Sequence, residues 1–190
     1  MKRNVKRGYL TRRANYIKSV IASYWRYDKQ CPIVAVEANV KLRPWPGGDR
    51  ADILVMTQGK LLIEIEVKTN IEDLRRDINK EIHKDLDKKV FSKYPVHAFF
   101  FAVLYDIAIE AEEIIREHFI NAGLLVVQDY RTQDTQLLVK LIKPAIKFKK
   151  PVLGEGQIRQ LTKAMSSTVC RLLRENNELK NMLNKEESCV

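Results

Sequence analysis

Apolar residues recur along the chain with two different periods, and these periods predict an ordered series of helices and strands. Spacings of three and four predict helices over 11–27, 71–90 and 107–122. Runs of β-branched residues and strict alternation predict strands over 33–42, 51–56, 61–69, 97–105, 124–128 and 137–142. Because three strands precede a helical crossover to the next strand, this order predicts a mixed sheet with helices on its faces.

The third predicted strand has the clearest alternation of the chain. One of its faces is apolar and the other is charged, and the charged face holds Glu64, Glu66 and Lys68. An ordinary amphipathic edge strand with a solvated face has the same pattern. The alternation therefore gains a functional meaning only together with neighbouring residues.

The C-terminal part of the chain differs from the rest. Apolar residues alternate by three and four over 157–185, with Asn176 at a core position. The preceding stretch 143–156 contains Pro and Gly and is predicted to be a linker. We expect this helix to form a coiled coil that makes a homodimer, and the alternative is packing on its own domain. The expected parts are a mobile basic N-terminal tail 1–13, a domain 14–150 and a helical segment 151–190.

The charge of the chain adds a class of partner to this picture. The sequence has 34 Lys and Arg against 24 Asp and Glu, a net charge of +10, with basic segments at 1–13 and 140–150. Such an excess favours nucleic acid first and an anionic membrane surface second, although it serves plain solubility as well. We expect Arg12 and Arg13 to contact phosphates.

Other classes of protein are excluded by composition. No stretch is apolar enough to cross a membrane, and no apolar signal core follows the basic N-terminus. The three cysteines are widely spaced and form no CxxC motif, which argues against a disulfide framework or a zinc site. We therefore expect a cytoplasmic protein, in a prokaryotic cell or a virus-infected host cell, with no membrane partner.

Two carboxylates and a lysine are predicted to meet at one end of the sheet. Asp52 opens the second strand, and Glu66 and Lys68 lie near the end of the third, so a hairpin turn between these strands brings them together. Paired carboxylates suit Mg²⁺, which polarises a phosphoryl oxygen and lowers the pKa of a bound water. The lysine would position that water or stabilise charge on the phosphate. This set is the minimum for metal-assisted phosphodiester hydrolysis.

The Asp…Glu-x-Lys pattern resembles the PD-(D/E)xK nuclease superfamily, with Ala51 in place of the usual proline before the aspartate. The similarity is greatest to small MmcB-like putative DNA-repair endonucleases. Archaeal Holliday-junction resolvases are similar in core, but the first helix here lacks the glutamate they usually carry. The residues that carry the resemblance are Glu37, Arg50-Ala51-Asp52, Glu66-Val67-Lys68, Asp73 and Asp77.

The resemblance implies a fold and an activity. The fold is α/β, a restriction-endonuclease-like α-β-β-β-α-β core with a mixed central sheet flanked by helices, here with a long C-terminal helix added. The activity is that of a Mg²⁺- or Mn²⁺-dependent DNA endonuclease in repair, recombination or junction processing. The metal is assigned to Asp52, Glu66 and Val67, with Lys68 assisting catalysis. Glu37 is either a third catalytic acid or part of a structural ion pair.

Further residues are candidates for contact with DNA. Arg43 and Arg50 flank a Trp-Pro-Gly-Gly turn and suit phosphates, while Trp45 in this turn would stack on a base or cover the sheet edge. Lys80, in the second helix, would reach the site or the DNA backbone. Glu64 is expected to be a ligand-free neighbour or an ion-pair partner.

Two functions other than catalysis remain compatible with these patterns. A non-catalytic nucleic-acid-binding protein on a nuclease-like fold would have the same basic charge, although the complete Asp52, Glu66 and Lys68 set argues against it. A third hypothesis makes the C-terminal helix an adaptor that docks another protein.

Overall fold

The elements of the chain follow the predicted order. The computed structural model describes residues 2–38, 51–79, 96–128 and 138–187. Its helices are α1 Lys2–Ser23, α2 Ile71–Asp77, α3 Ala108–His118 and α4 Glu155–Glu187. Its strands are β1 Ile33–Ala38, β2 Ala51–Met56, β3 Leu62–Val67, β4 Val96–Leu104, β5 Gly123–Val127 and β6 Val139–Lys143. A π-helical segment, Tyr24–Asp28, follows α1, and a 3-10 turn, Tyr105–Ile107, precedes α3.

The strands form one six-stranded mixed sheet in the order β1-β2-β3-β4-β5-β6. The first three strands are antiparallel, β4 runs parallel to β3, β5 runs parallel to β4, and β6 is antiparallel to β5. The predicted mixed α/β sheet is confirmed. Since β3 lies between β2 and β4, its charged face is not the solvated face of an edge strand.

Helices cover both faces of the sheet. On one face, α1 packs through Ile17, Val20 and Ile21 against the apolar side of β3. On the other face, α2, α3 and α4 contribute buried residues to a second core, among them Leu74 and Ile115. The charged side of β3 faces this second layer, because Leu62 of the same side belongs to it. Within the described residues, none of the helices combines the length and apolar character that a membrane span requires.

The helix boundaries differ from the predicted ones for local physical reasons. Helix α1 begins at Lys2 rather than Thr11, so the expected basic tail is helical from Lys2; lysine and arginine are good helix formers and no proline interrupts the segment. Helix α2 ends at Asp77 and is followed by a turn at residues 78 and 79, and the predicted helix from residue 80 onwards lies outside the described residues. Helix α3 ends at His118 because Phe119 leaves the helical conformation and packs on Phe101, with 4.9 Å between ring centroids.

The first half of α4 packs on the chain's own sheet. Leu161 is fully buried in the core, with Ile158 and Met165 packed against it. The hydroxyl of Thr168 donates a hydrogen bond to the carbonyl oxygen of Val36 at 2.9 Å. For this half, the alternative of packing within the domain is the one observed.

The segment that leads into α4 is part of the domain rather than a free linker. The N–H of Phe148 donates to the carbonyl oxygen of His97 at 2.8 Å, and the N–H of Leu153 donates to that of Lys60 at 2.9 Å. The Leu153 side chain is buried. Two expected coiled-coil positions further along α4, Val169 and Leu172, are 50% and 52% exposed, and homodimer formation through this helix stays a prediction.

Gly123 is expected to be intolerant of a side chain. It opens β5, and an added Cβ would lie 2.4 Å from the Phe100 ring and 2.8 Å from the backbone nitrogen of Ala145. We expect Gly123→Ala to lower the free energy of unfolding by about 1–3 kcal/mol in urea denaturation, because a backbone atom cannot move aside easily. Gly156→Ala is the matched control: its Cβ meets nothing within 4 Å and it lies in α4, so this change is expected to be neutral or stabilising. Equal stability of the two variants would contradict the packing at Gly123.

Candidate active site

Three acidic residues lie side by side across the antiparallel strands at one end of the sheet. Asp52 is one step beyond the paired residues Ile53 and Ile65, which places it opposite Glu66 of β3. On its other side, Asp52 lies opposite Glu37 of β1, between two paired positions. The hairpin of β2 and β3 therefore brings the two strongest candidate ligands together, and β1 adds a third acid to the row.

A lysine from α1 links two of these acids. Lys18 Nζ lies 2.7 Å from Asp52 Oδ1 and 3.2 Å from Glu37 Oε1. The second oxygen of Asp52 accepts a hydrogen bond from the N–H of Val67 at 2.9 Å. The carboxylate is thus fixed at the start of β2. Sequence reasoning missed Lys18; its position next to the buried Ile17 indicates a partly buried lysine, but no local signal shows which strand end it meets.

Glu37 connects two helices at the edge of the sheet. Its backbone has a φ of 54°, a left-handed conformation that is uncommon for a residue with a side chain. One carboxylate oxygen is bound by Lys18 and the other lies 3.2 Å from an Arg171 guanidinium nitrogen on α4. Of the two expectations for Glu37, the ion pair is present in the structure, and the role of third acid stays a proposal.

The ammonium of Lys68 is surrounded by carboxylates immediately after β3. The residue is 2% exposed. Its Nζ lies 2.6 Å from Asp77 Oδ2, 3.2 Å from Glu66 Oε1 and 3.8 Å from Asp73 Oδ2. Burial lowers the pKa of Lys68, but Glu66, Asp77 and Asp73 together raise it above the ordinary value. The lysine is therefore held as a cation.

The start of α2 positions the two aspartates that contact this lysine. The side chain of Asn70 caps the helix by accepting a hydrogen bond from the N–H of Asp73 at 2.9 Å. Asp73 and Asp77 lie about one turn apart, and Asp77 is fully buried. Lys68 is a common ion-pair partner of both aspartates.

Glu66 lies in crowded negative surroundings. Burial is the main cause that raises its pKa, to about 7, and the charges of Asp52 and Glu64 raise it further while Lys68 opposes them. Glu64, on the same side of β3, is itself fully buried. A cation beside these acids would relieve their mutual repulsion.

Glu66 is expected to make the protein less stable as pH rises. Its pKa is about 7 in the folded protein against an ordinary value of 4.5. The folded state therefore binds the Glu66 proton more tightly than the unfolded state does. The stability that this proton contributes is fully present below the ordinary pKa and is lost as pH rises through 7. Replacement by Gln removes this dependence.

The measurement is urea denaturation of the wild type and Glu66→Gln in EDTA at about pH 5 and about pH 8. We expect the wild type to lose up to about 3 kcal/mol relative to Glu66→Gln between these two conditions. The same difference in stability at both pH values would contradict a raised pKa at Glu66.

The acidic row has the donor chemistry that Mg²⁺ prefers. Asp52 and Glu66 offer carboxylate oxygens, and Val67 offers only its carbonyl oxygen, since its side chain is apolar and its N–H binds Asp52. In the part of the chain that the structure describes, no three acidic, histidine or cysteine side chains converge as a ready-formed metal site. The ammonium groups of Lys18 and Lys68 instead supply the positive charge beside Asp52 and Glu66. The donor set thus fits the ion by the type of its ligand atoms.

The chain shares its fold with a protein of known structure. That protein is the SPO1766 protein of unknown function from Silicibacter pomeroyi, with 16% sequence identity and a TM-score of 0.53 over 86% of this chain and 90% of the other. No protein-family model matches the chain, and no curated protein is significantly similar to it. At this identity, the similarity shows the fold alone.

The residues expected to bind nucleic acid fall into two groups. Arg12 is exposed on α1, whereas the guanidinium of Arg13 binds both carboxylate oxygens of Asp106 at 2.7 and 2.6 Å. Arg13 is thus an ion-pair partner within the domain, and its contact with phosphate stays a prediction. The others lie outside the described residues: Arg43, Trp45, Arg50 and Lys80.

Proposed function

We propose that this protein is a Mg²⁺-dependent DNA endonuclease that hydrolyses phosphodiester bonds. The observation that carries the proposal is the buried ammonium of Lys68, 3.2 Å from Glu66, at the strand end where Asp52 lies opposite Glu66. The complete Asp52, Glu66 and Lys68 set argues against a protein that only binds DNA. A hydrolase of phosphodiesters uses each of these residues.

The topology around these residues supports a restriction-endonuclease-like core as part of the proposal. Strands β1, β2 and β3 form an antiparallel meander, α2 follows β3, and β4 lies parallel to β3. With α1 in front, this is the α-β-β-β-α-β order that the Asp…Glu-x-Lys resemblance implies.

Each residue of the site has a distinct role in the proposed reaction. Asp52, Glu66 and the carbonyl oxygen of Val67 would hold the ion, which when bound polarises a phosphoryl oxygen and lowers the pKa of a water molecule. Lys68 keeps a positive charge where negative charge develops on the phosphate. Asp77 orients that ammonium through its contact at 2.6 Å. Glu37 would act as a third acid from β1.

DNA is the substrate that the charge of the chain fits best. The net charge of +10 favours a polyanion, with the basic segments 1–13 and 140–150 as candidate contacts to the backbone. Repair, recombination or junction processing are the contexts we propose. A homodimer through the distal half of α4 would bring two sites to opposing strands.

The test of this proposal is cleavage of labelled DNA by the wild-type protein with Mg²⁺ or Mn²⁺ and with EDTA.

Non-catalytic nucleic-acid binding is the second candidate, favoured by one observation: Lys18 already neutralises Asp52 and Glu37 without a metal. Calorimetry separates the two. If the protein is an endonuclease, calorimetry will show Mg²⁺ binding by the wild type that Glu66→Gln abolishes. If it only binds nucleic acid, the wild type will show no Mg²⁺ binding of this kind.

A further inference from the structure

A groove of about 460 Å³, lined mainly by polar and charged residues, lies beside Glu37 at the end of the acidic row. One side of it is a stripe of α4 whose members recur at intervals of three and four residues. The lining residues are Glu37, Gln160, Lys163, Ala164, Ser167, Thr168 and Arg171. The groove is therefore a continuous feature of one helix face rather than a gap between loops.

The groove offers hydrogen-bond donors of several kinds. Lys163 and Arg171 are cationic and exposed, Ser167 adds a hydroxyl and Gln160 adds an amide. These are the side-chain types that contact phosphate oxygens and so position nucleic acid. The acid of the lining, Glu37, already binds Lys18 and Arg171, so the balance of charge in the groove is positive.

The groove leads directly to the candidate active site. Arg171 lies 3.2 Å from Glu37, and Lys18 joins Glu37 to Asp52 at 3.2 and 2.7 Å. A DNA strand whose phosphates lie along α4 would thus lie close to Asp52, with Glu37 and Lys18 between the groove and this carboxylate. Among the lining residues that the structure describes, Ala164 is the sole apolar side chain, so they do not form the apolar seam that a second copy of the helix would need.

We infer that this groove binds the sugar-phosphate backbone of the DNA substrate next to the bond that is cut, with Lys163 and Arg171 as the phosphate contacts. The inference rests on the proposed function, because it takes DNA as the substrate. Helix α4 then has two roles, since its buried face packs on the sheet and its polar stripe holds the substrate.

The first test measures DNA affinity in EDTA by fluorescence anisotropy across a series of salt concentrations. Lys163→Gln and Arg171→Gln are each expected to weaken binding about five- to tenfold and to reduce the slope of log affinity against log salt by about one. Arg116→Gln, an exposed arginine on α3, is the matched control and is expected to bind as the wild type does. Unchanged affinity in the groove variants, or an equal loss in the control, overturns the inference.

The second test leaves Lys163 and Arg171 unchanged. In a Cys170→Ser, Cys189→Ser background, Ser167→Cys is labelled with a maleimide with and without a DNA duplex, and Thr162→Cys, exposed and outside the groove, is the control. We expect DNA to slow labelling several-fold at position 167 alone. Equal protection of positions 167 and 162 from labelling by DNA, or no protection at position 167, overturns the inference.

The groove and the proposed function fail separately in these experiments. Metal-dependent cleavage by the wild type together with unchanged binding by the groove variants would overturn the groove and leave the endonuclease standing. Loss of binding in the groove variants without any metal-dependent cleavage by the wild type would overturn the endonuclease and support the groove as a DNA contact.

Discussion

Lys68→Met is expected to lower the rate of metal-dependent DNA cleavage by at least about 10²-fold while leaving DNA binding in place. Methionine has a similar length and fills a similar volume, but it carries no charge. The change therefore removes the cation that lies 3.2 Å from Glu66 and is 2% exposed. The measurement is the single-turnover rate of cleavage of a labelled DNA, with affinity measured in parallel.

Lys60→Met is the control for this prediction, since it makes the same substitution in the exposed turn between β2 and β3. We expect it to cleave at the wild-type rate. Lys68→Arg checks that a loss reflects charge rather than folding, because it keeps the cation and should retain more activity than Lys68→Met. A Lys68→Met protein that is folded and cleaves within a few-fold of the wild type would remove Lys68 from the mechanism.

Asp77→Leu is expected to lower the free energy of unfolding by about 3 kcal/mol, because it takes the nearest countercharge from a buried lysine. Asp77 is fully buried, and its Oδ2 lies 2.6 Å from Lys68 Nζ. The double variant Asp77→Leu/Lys68→Met removes both charges, so we expect it to regain at least half of that loss. Urea denaturation of the wild type, the two single variants and the double variant in EDTA measures the coupling.

An exposed ion pair of the same length provides the control for this cycle. Arg75 and Glu110 also approach to 2.6 Å, but their side chains are 58% and 49% exposed. Glu110→Leu is expected to change stability by less than about 1 kcal/mol, because water replaces the lost partner. Additive losses in the Asp77 and Lys68 double variant would show that the two residues are not energetically coupled, contrary to the contacts described.

The part of the site that lies on neighbouring strands was predictable from the sequence. The alternation around Glu66 fixes which residues share a face, and a short hairpin turn fixes that Asp52 lies opposite the end of β3. These are local relations, because strand geometry has a period of two and the turn sets the register.

Contacts between distant elements were not predictable in this way. Lys18 and Arg171 meet Glu37 from α1 and α4, and where these helices cross the sheet depends on packing over the whole core. The full burial of Glu64 likewise depends on the helices that cover this face.

The pattern of α4 shows the limit of periodicity most clearly. An apolar repeat of three and four serves equally to pack on a partner helix or on a sheet. Which of the two occurs depends on whether the sheet has an apolar surface at the right place. Leu161 packs into such a surface in the core. The same repeat in its distal half is the basis of the predicted homodimer.

The central claim is that Asp52, Glu66 and Lys68 form a metal-dependent nuclease site. Its most direct test is cleavage of labelled linear duplex, single strand, flap and four-way junction with Mg²⁺, Mn²⁺ or EDTA, by the wild type and by Glu66→Gln. We predict that the wild type cuts at least one of these DNAs only with metal, and that Glu66→Gln binds this DNA without cutting it. Binding without cleavage by the wild type, or equal cleavage by Glu66→Gln, would contradict the claim.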